Sequence, residues 1–140
     1  MSSYPERHKP GEMAPIPPRT QPVPPLDEDG LGGVLEDTAG FHPGVDMIRD
    51  GIRLLALDRL TVEDTKNVLA ALAGFEQSVV TAIGFLVERL TNPDTNPALD
   101  VLDAETAKRV QTYGEQYRYE LAEFGPRQHA AEAIGLIDGI

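Results

Sequence analysis

Five oxygen-bearing side chains in one stretch, Asn92, Asp94, Asn96, Asp100 and Asp103, stand at positions 1, 3, 5, 9 and 12 of the spacing that holds calcium. Pro97 occupies position 6, where the sharp turn favours glycine, and Asp103 occupies position 12, where a longer bidentate glutamate is usual. Asparagine, aspartate and proline also turn chains and cap helices without any ion. The stretch is therefore a weak calcium candidate, and the sequence is read as having no resident metal.

Other chemistry is sparser. The histidines His8, His42 and His129 are scattered, with no spacing that gathers a nucleophile and an orienting carboxylate around an imidazole base. The chain has no cysteine, which excludes a disulfide framework, a thiolate metal site and a cysteine nucleophile. Gly30-Leu31-Gly32-Gly33 is glycine-rich, but no lysine follows it as in a phosphate-cradling loop, and it reads as a joint. The acids Asp27, Glu28 and Asp29 read as a solvated linker. No catalytic residue, cofactor-binding residue or cofactor is assigned, and the expectation is a protein that is not an enzyme.

Binding chemistry is better represented. Eight of the twelve prolines lie in residues 1–25, a composition that favours extended or polyproline II chain over a packed core. Within it, Arg19, Pro22 and Pro25 have the Arg-x-x-Pro-x-x-Pro spacing that docks on proline-reading grooves, and these three are the candidate arm contacts. The same pattern also arises in any stiff proline-rich tether.

The elements behind this arm read as helices. After an acid- and glycine-rich linker over residues 26–42, His42-Pro43 predicts a first helix over 43–60, because proline suits the first helical position. Val45, Ile48, Ile52 and Leu55 form its stripe, which Leu54 and Leu57 would widen. Thr61 as N-cap, with acids in the following turn, predicts a second helix over 61–90. Along it Val62, Thr65, Leu69, Leu72, Glu76, Val79, Ile83, Leu86 and Leu90 keep a coiled-coil spacing, with Ala70, Gly74, Ser78 and Ala82 as a ridge of small residues. A third helix is expected over 97–124, with Val110, Tyr113, Tyr117, Leu121 and Phe124 inward, and a fourth over 127–138 after Gly125-Pro126. The predicted fold is all-α: a long antiparallel helical hairpin plus two shorter helices, behind an extended proline-rich arm, with residues 43–140 as one helical-bundle domain.

Composition narrows the partners. Net charge is −11, and residues 26–140 carry nine basic and twenty-one acidic side chains, which disfavours direct contact with a phosphate backbone. The longest uncharged apolar run, Ser78 to Val87, is half of the roughly 20 residues that span a bilayer, so no membrane span is expected. The N-terminus lacks the apolar stretch of a secretory signal, so the expected location is cytoplasmic, or a virion if the chain belongs to one.

A helix apolar on more than one side needs covering. The expectation is a structural or assembly protein, a homo-oligomer or part of a larger particle such as a virion. Its interface would use Leu69, Leu72, Val79, Ile83, Leu86, Leu90, Ile134 and Ile137, and its arm would contact neighbouring subunits. The alternative is an acidic regulatory adaptor or antitoxin-like inhibitor that binds one protein partner, with salt-sensitive affinity.

Overall fold

The computed structural model describes residues 23–123 and 126–139; Arg19, Pro22 and His8 of the arm, and Phe124, Gly125 and Ile140, lie outside them. All regular secondary structure among the described residues is helical. The chain forms two units with the boundary between Arg59 and Leu60, after the first of the four helices expected from the sequence.

The first unit holds α1 (Leu31–Asp37) and α2 (Pro43–Leu57). The glycine-rich stretch read as a joint thus opens a helix. Between the two helices Gly40 takes φ 84°, a left-handed turn that glycine enters without a Cβ penalty. Its N–H donates to Asp46 Oδ1 at 2.9 Å, tying the turn to the first turn of α2. His42 caps α2, its Nδ1 accepting from Gly44 N at 2.9 Å, and Pro43 sits at the first position as expected. Arg49 Nε donates to the carbonyl of Leu35, and Leu35 is buried. Little else is. Val45, Ile48, Ile52, Leu54 and Leu57 all remain exposed on α2. At about 100° per residue, Leu54 lies on the far side of the helix from Val45 and Ile52, so it does not widen their stripe.

Gly51 is mid-helix in α2, and a Cβ there would meet nothing within 4 Å. Gly51→Ala removes the entropic cost of glycine with no steric cost, and is expected to stabilise α2 by about 0.5–1 kcal/mol. Chemical denaturation followed by far-UV circular dichroism would read it as a higher midpoint at unchanged slope.

The second unit corrects the long second helix. Thr61 does cap a start, its Oγ1 accepting from Asp64 N at 3.0 Å, and α3 (Val62–Leu69) follows. The backbone then widens into a π-helical segment, Ala70–Gly74, and leaves the helix altogether, with Phe75 and Ser78 extended. A new helix, α4 (Val79–Leu90), begins at Ser78, whose Oγ accepts from Thr81 N at 3.2 Å. The physical reason is packing as well as propensity. Glycine tolerates the helix exit, and Ile134 of the last helix occupies the space at Gly74 where a Cβ would stand.

The third helix is also shorter than expected. Pro97–Val101 form a 3₁₀ turn, Leu102 is extended, and α5 (Ala104–Glu123) starts only after Asp103. It runs antiparallel to α4: Gly84 lies against Arg118 and Leu121, while further along α4 Thr91 lies against Gly114. Between these points Arg118 crosses the Phe85 ring at 5.1 Å from its centroid. Glu88 Oε1 is 3.5 Å from Arg118 Nε, close enough for ionic attraction but outside hydrogen-bond alignment, which leaves Nε as a buried donor without an acceptor. The face of α5 toward α4 is thus Gly114, Arg118, Leu121 and the buried Ala122. Tyr113 and Tyr117, expected inward, are instead exposed at 70% and 46%, because glycine and alanine allow the close approach and bulky rings do not.

The last helix, α6 (Pro126–Asp138), packs on the π segment and on α3. Lys66 Nζ meets Asp138 Oδ1 at 2.7 Å and Glu63 Oε1 at 3.2 Å, and Arg127 meets Glu76 at 3.7 Å. The hydrogen bond from Lys66 holds the Asp138 carboxyl below its ordinary range, and Asp138 followed by Glu63 raises Lys66. Asp138's contribution is therefore present above the unfolded carboxylate range and is lost as pH falls through its lowered folded value. That of Lys66 is lost only as pH rises through a value above the usual ammonium range. Amide-exchange protection factors in α6 are expected to be flat through neutral pH and to fall only in acid, below the ordinary carboxylate range.

Candidate functional site

The interface residues chosen from sequence separate into two groups. Ile134 fills the hollow at Gly74, and Leu69, Leu72 and Ile137 are half-buried on the elements that pack there. This set is already occupied within its own chain. Ala70, buried at 8% exposure, belongs to the same packing. The small-residue ridge does not run straight, since Ser78 serves as a cap and Ala82 is exposed.

The other four lie together on α4. Thr81, Gly84 and Glu88 recur at helical spacing on one side of α4, and Gly84 and Glu88 meet Arg118 of α5. Val79, Ile83, Leu86 and Leu90 recur at the same spacing on the opposite side. Val79 is 47% exposed, Leu86 44% and Leu90 52%, with Ile83 half-buried between them and Ala82 beside them. No charged side chain interrupts this stripe. It is an apolar seam about 18 Å long by helical rise, facing away from its own unit's partner helix. Phe85, 53% exposed under the Arg118 guanidinium, lies nearer the α5-facing side and is not part of this stripe.

Residues 62–90 also contain a window of mean hydropathy 1.6, long and apolar enough to cross a membrane if it were one helix. The extended backbone at Phe75 and Ser78 divides it into pieces shorter than the roughly 20 residues a crossing requires. A break facing lipid would also leave backbone polar groups without partners.

The candidate calcium residues are engaged locally. Asn92 Oδ1 accepts from Asp94 N at 2.9 Å, and Asn96 Oδ1 accepts from Ala98 N at 3.2 Å while its Nδ2 donates to Leu90 O at 2.8 Å. Asp103 caps α5, accepting from Thr106 N at 2.8 Å and Thr106 Oγ1 at 3.1 Å, and these bonds hold its carboxyl below the ordinary range. The oxygens of Asn92, Asn96 and Asp103 thus serve a turn or a cap. Asp94 and Asp100 are exposed, and no group of three or more metal-ligating His, Cys, Asp or Glu side chains gathers among the described residues. His42 is a helix cap and His129 is exposed.

Of the arm contacts, only Pro25 is among the described residues, where it is exposed beside Leu26 and the C-terminal half of α2. Sequence reasoning missed the exposed tyrosines on α5 and the helix start at Ser78. The second was legible as a serine three residues before Thr81, but the continuous heptad spacing concealed it. Compared with protein-family models, curated proteins and solved structures, the chain finds no match.

Proposed function

We propose that this is a non-enzymatic structural protein that self-associates through the α4 seam, with its proline-rich arm as a second contact in the assembly. The observation that carries the reading is the exposure of Val79, Leu86 and Leu90 on the face of α4 that its own hairpin partner leaves uncovered. Transferring such side chains from water into an interface contributes about 25 cal/mol per Å² of apolar area. A second copy offers the same uncharged stripe, so pairing about a two-fold axis brings no like charges together, despite the acidic body.

The scarcity of interior adds support. Among the described residues the buried apolar side chains are Leu35, Ala70 and Ala122, and no large side chain is fully buried. A chain with so thin an interior gains most of its order from association. The finer architecture we propose is an antiparallel hairpin acting as the building block, in a cytoplasmic or virion particle, with the arm extended from it.

The test is light scattering after size-exclusion chromatography, on the full chain and on a chain beginning at Leu26. The expected result is a multimer whose size or stability falls without the arm. A full-length protein that stays at 15.2 kDa at all attainable concentrations would overturn the reading.

A further inference from the structure

We propose that residues 62–90 straighten into one helix when copies associate, so that the surface offered to a second copy is a seam running the whole length of that helix. The inference rests on the self-association reading and deepens it. Four side chains on α4 are few beside the roughly 20–30 residues that each partner of a stable interface contributes. The residues that would extend the stripe stand directly before it in the chain. At about 100° per residue, Leu69 and Leu72 fall on the same side of a straight helix as Val79, Ile83, Leu86 and Leu90, with a drift of about 20° per heptad that a left-handed supercoil absorbs. One helix over Val62–Leu90 has 29 residues and a length of about 43 Å, against about 18 Å for α4.

No residue at the break forbids a helix. Residues 61–92 contain no proline, and Phe75, Glu76 and Gln77 all have ordinary helix propensities. The extended stretch shelters little, since Phe75 is 59% exposed and the Glu76 side chain 79%. What holds the break is α6. Ile134 stands where a Cβ at Gly74 would go, Arg127 reaches Glu76 at 3.7 Å, and Asp138, near the other end of α6, is held by Lys66 of α3 at 2.7 Å. The Ser78 cap adds a local stop. Leu69 and Leu72 are half-buried on the elements that α6 packs against, so α6 and a second copy compete for the same two side chains. Straightening exchanges the cover that α6 provides for the cover of a partner's seam. Glu76 would enter that seam as its one charged member, a polar position of the kind that fixes register at a cost in stability.

The absence of cysteine makes the test direct. Asn67→Cys and Arg89→Cys, both at exposed positions, carry spin labels in the full chain, diluted with unlabelled protein so that distances within one molecule are read. Val79→Pro in the same labelled chain is the broken reference: proline suits the first position of α4 after the extended Ser78, and it blocks a helix that runs through. Protein concentration is raised through the association midpoint found by light scattering. The expected result is that the unsubstituted helix shifts, as the multimer forms, to a label separation of about 33 Å, the rise of a continuous helix between the two sites, while Val79→Pro does not. The amides of Phe75 to Ser78 gain exchange protection in step. Gly74→Ala combined with Ser78→Ala, which improves the helix and removes the cap, should bring the multimer on at a concentration at least threefold lower. A multimer with the label separation and amide protection of the monomer would overturn the straightening and leave the α4 seam standing. A chain that never forms a multimer would overturn the seam reading itself, and the straightening with it.

Discussion

Val79→Asp is expected to convert the full-length protein from a multimer to a 15.2 kDa monomer that keeps its helix content. Val79 is the first residue of α4, immediately after the Ser78 cap, and it is 47% exposed. A carboxylate at this position interacts favourably with the partial positive charge of the helix N-terminus, so the substitution does not weaken the helix it enters. In a seam between copies the same carboxylate would be desolvated without a partner. A two-fold interface carries the change twice, and the loss is on the order of 3 kcal/mol or more, roughly a hundredfold or greater in Kd. Leu86→Asp, in the middle of the stripe, should act in the same direction. Light scattering with parallel circular dichroism separates the outcomes. A helical Val79→Asp protein with the mass of the wild type would show that association uses another surface.

Gly114→Leu is expected to unfold the second unit, and Gly114→Ala to weaken it measurably. A Cβ at Gly114 would overlap Thr91, whose hydroxyl cannot swing away without losing its bonds to Val87 O at 2.8 Å and Glu88 O at 3.0 Å. Overpacking of this kind costs about 1–3 kcal/mol for a small addition and more for a large one. The gain from replacing a helical glycine, about 0.5–1 kcal/mol, offsets only part of it. For a unit of this size each kcal/mol lowers Tm by about 4–8 °C, so thermal denaturation reads the effect easily. Adding Thr91→Ala to Gly114→Ala should recover part of the loss, since it removes the clashing hydroxyl and methyl. An undiminished Tm for Gly114→Ala would mean that α4 and α5 do not approach as closely as described. Set beside Gly51→Ala, which is expected to stabilise, the pair shows that the cost of a side chain at a helical glycine depends on what stands opposite it.

These two residues also mark how much could be read in advance. The helix starts after His42 and Thr61 were legible because their signals are local. Pro43 at the first helical position marked one start, and Thr61, whose side chain accepts from a backbone N–H three residues on, marked the other. The α4 stripe was legible for a similar reason: four apolar residues at helical spacing must share a face. The sequence could not show that Leu69, Leu72, Ile134 and Ile137 belong to a different environment from that stripe. All eight are aliphatic at compatible spacing, and only the docking of Ile134 at Gly74 separates them.

The same limit explains Tyr113 and Tyr117. On α5, two stripes compete for the interior, one of bulky rings and one running through Gly114, Arg118 and Ala122. Hydrophobicity favours the first. Distance favours the second, because α4 presents its own glycine, Gly84, to the backbone at Arg118, and two helices that close leave no room for tyrosine. The Asn92 to Asp103 loop is parallel: its residues suit a cation or a turn equally, and nearby backbone donors claim the oxygens of Asn92, Asn96 and Asp103.

By itself, then, the chain of residues determined the helical class, the helix starts at His42 and Thr61, the charge of the body and the apolar side of α4, since each depends on side chains within a few positions of one another. Tertiary structure alone decided where residues 61–90 break, which side of α5 faces inward and which aliphatic residues stay exposed. Those outcomes depend on steric fit between segments distant in sequence, as Ile134 fits Gly74 and Thr91 fits Gly114. Spacing along a single helix carries no information about the shape of its neighbour.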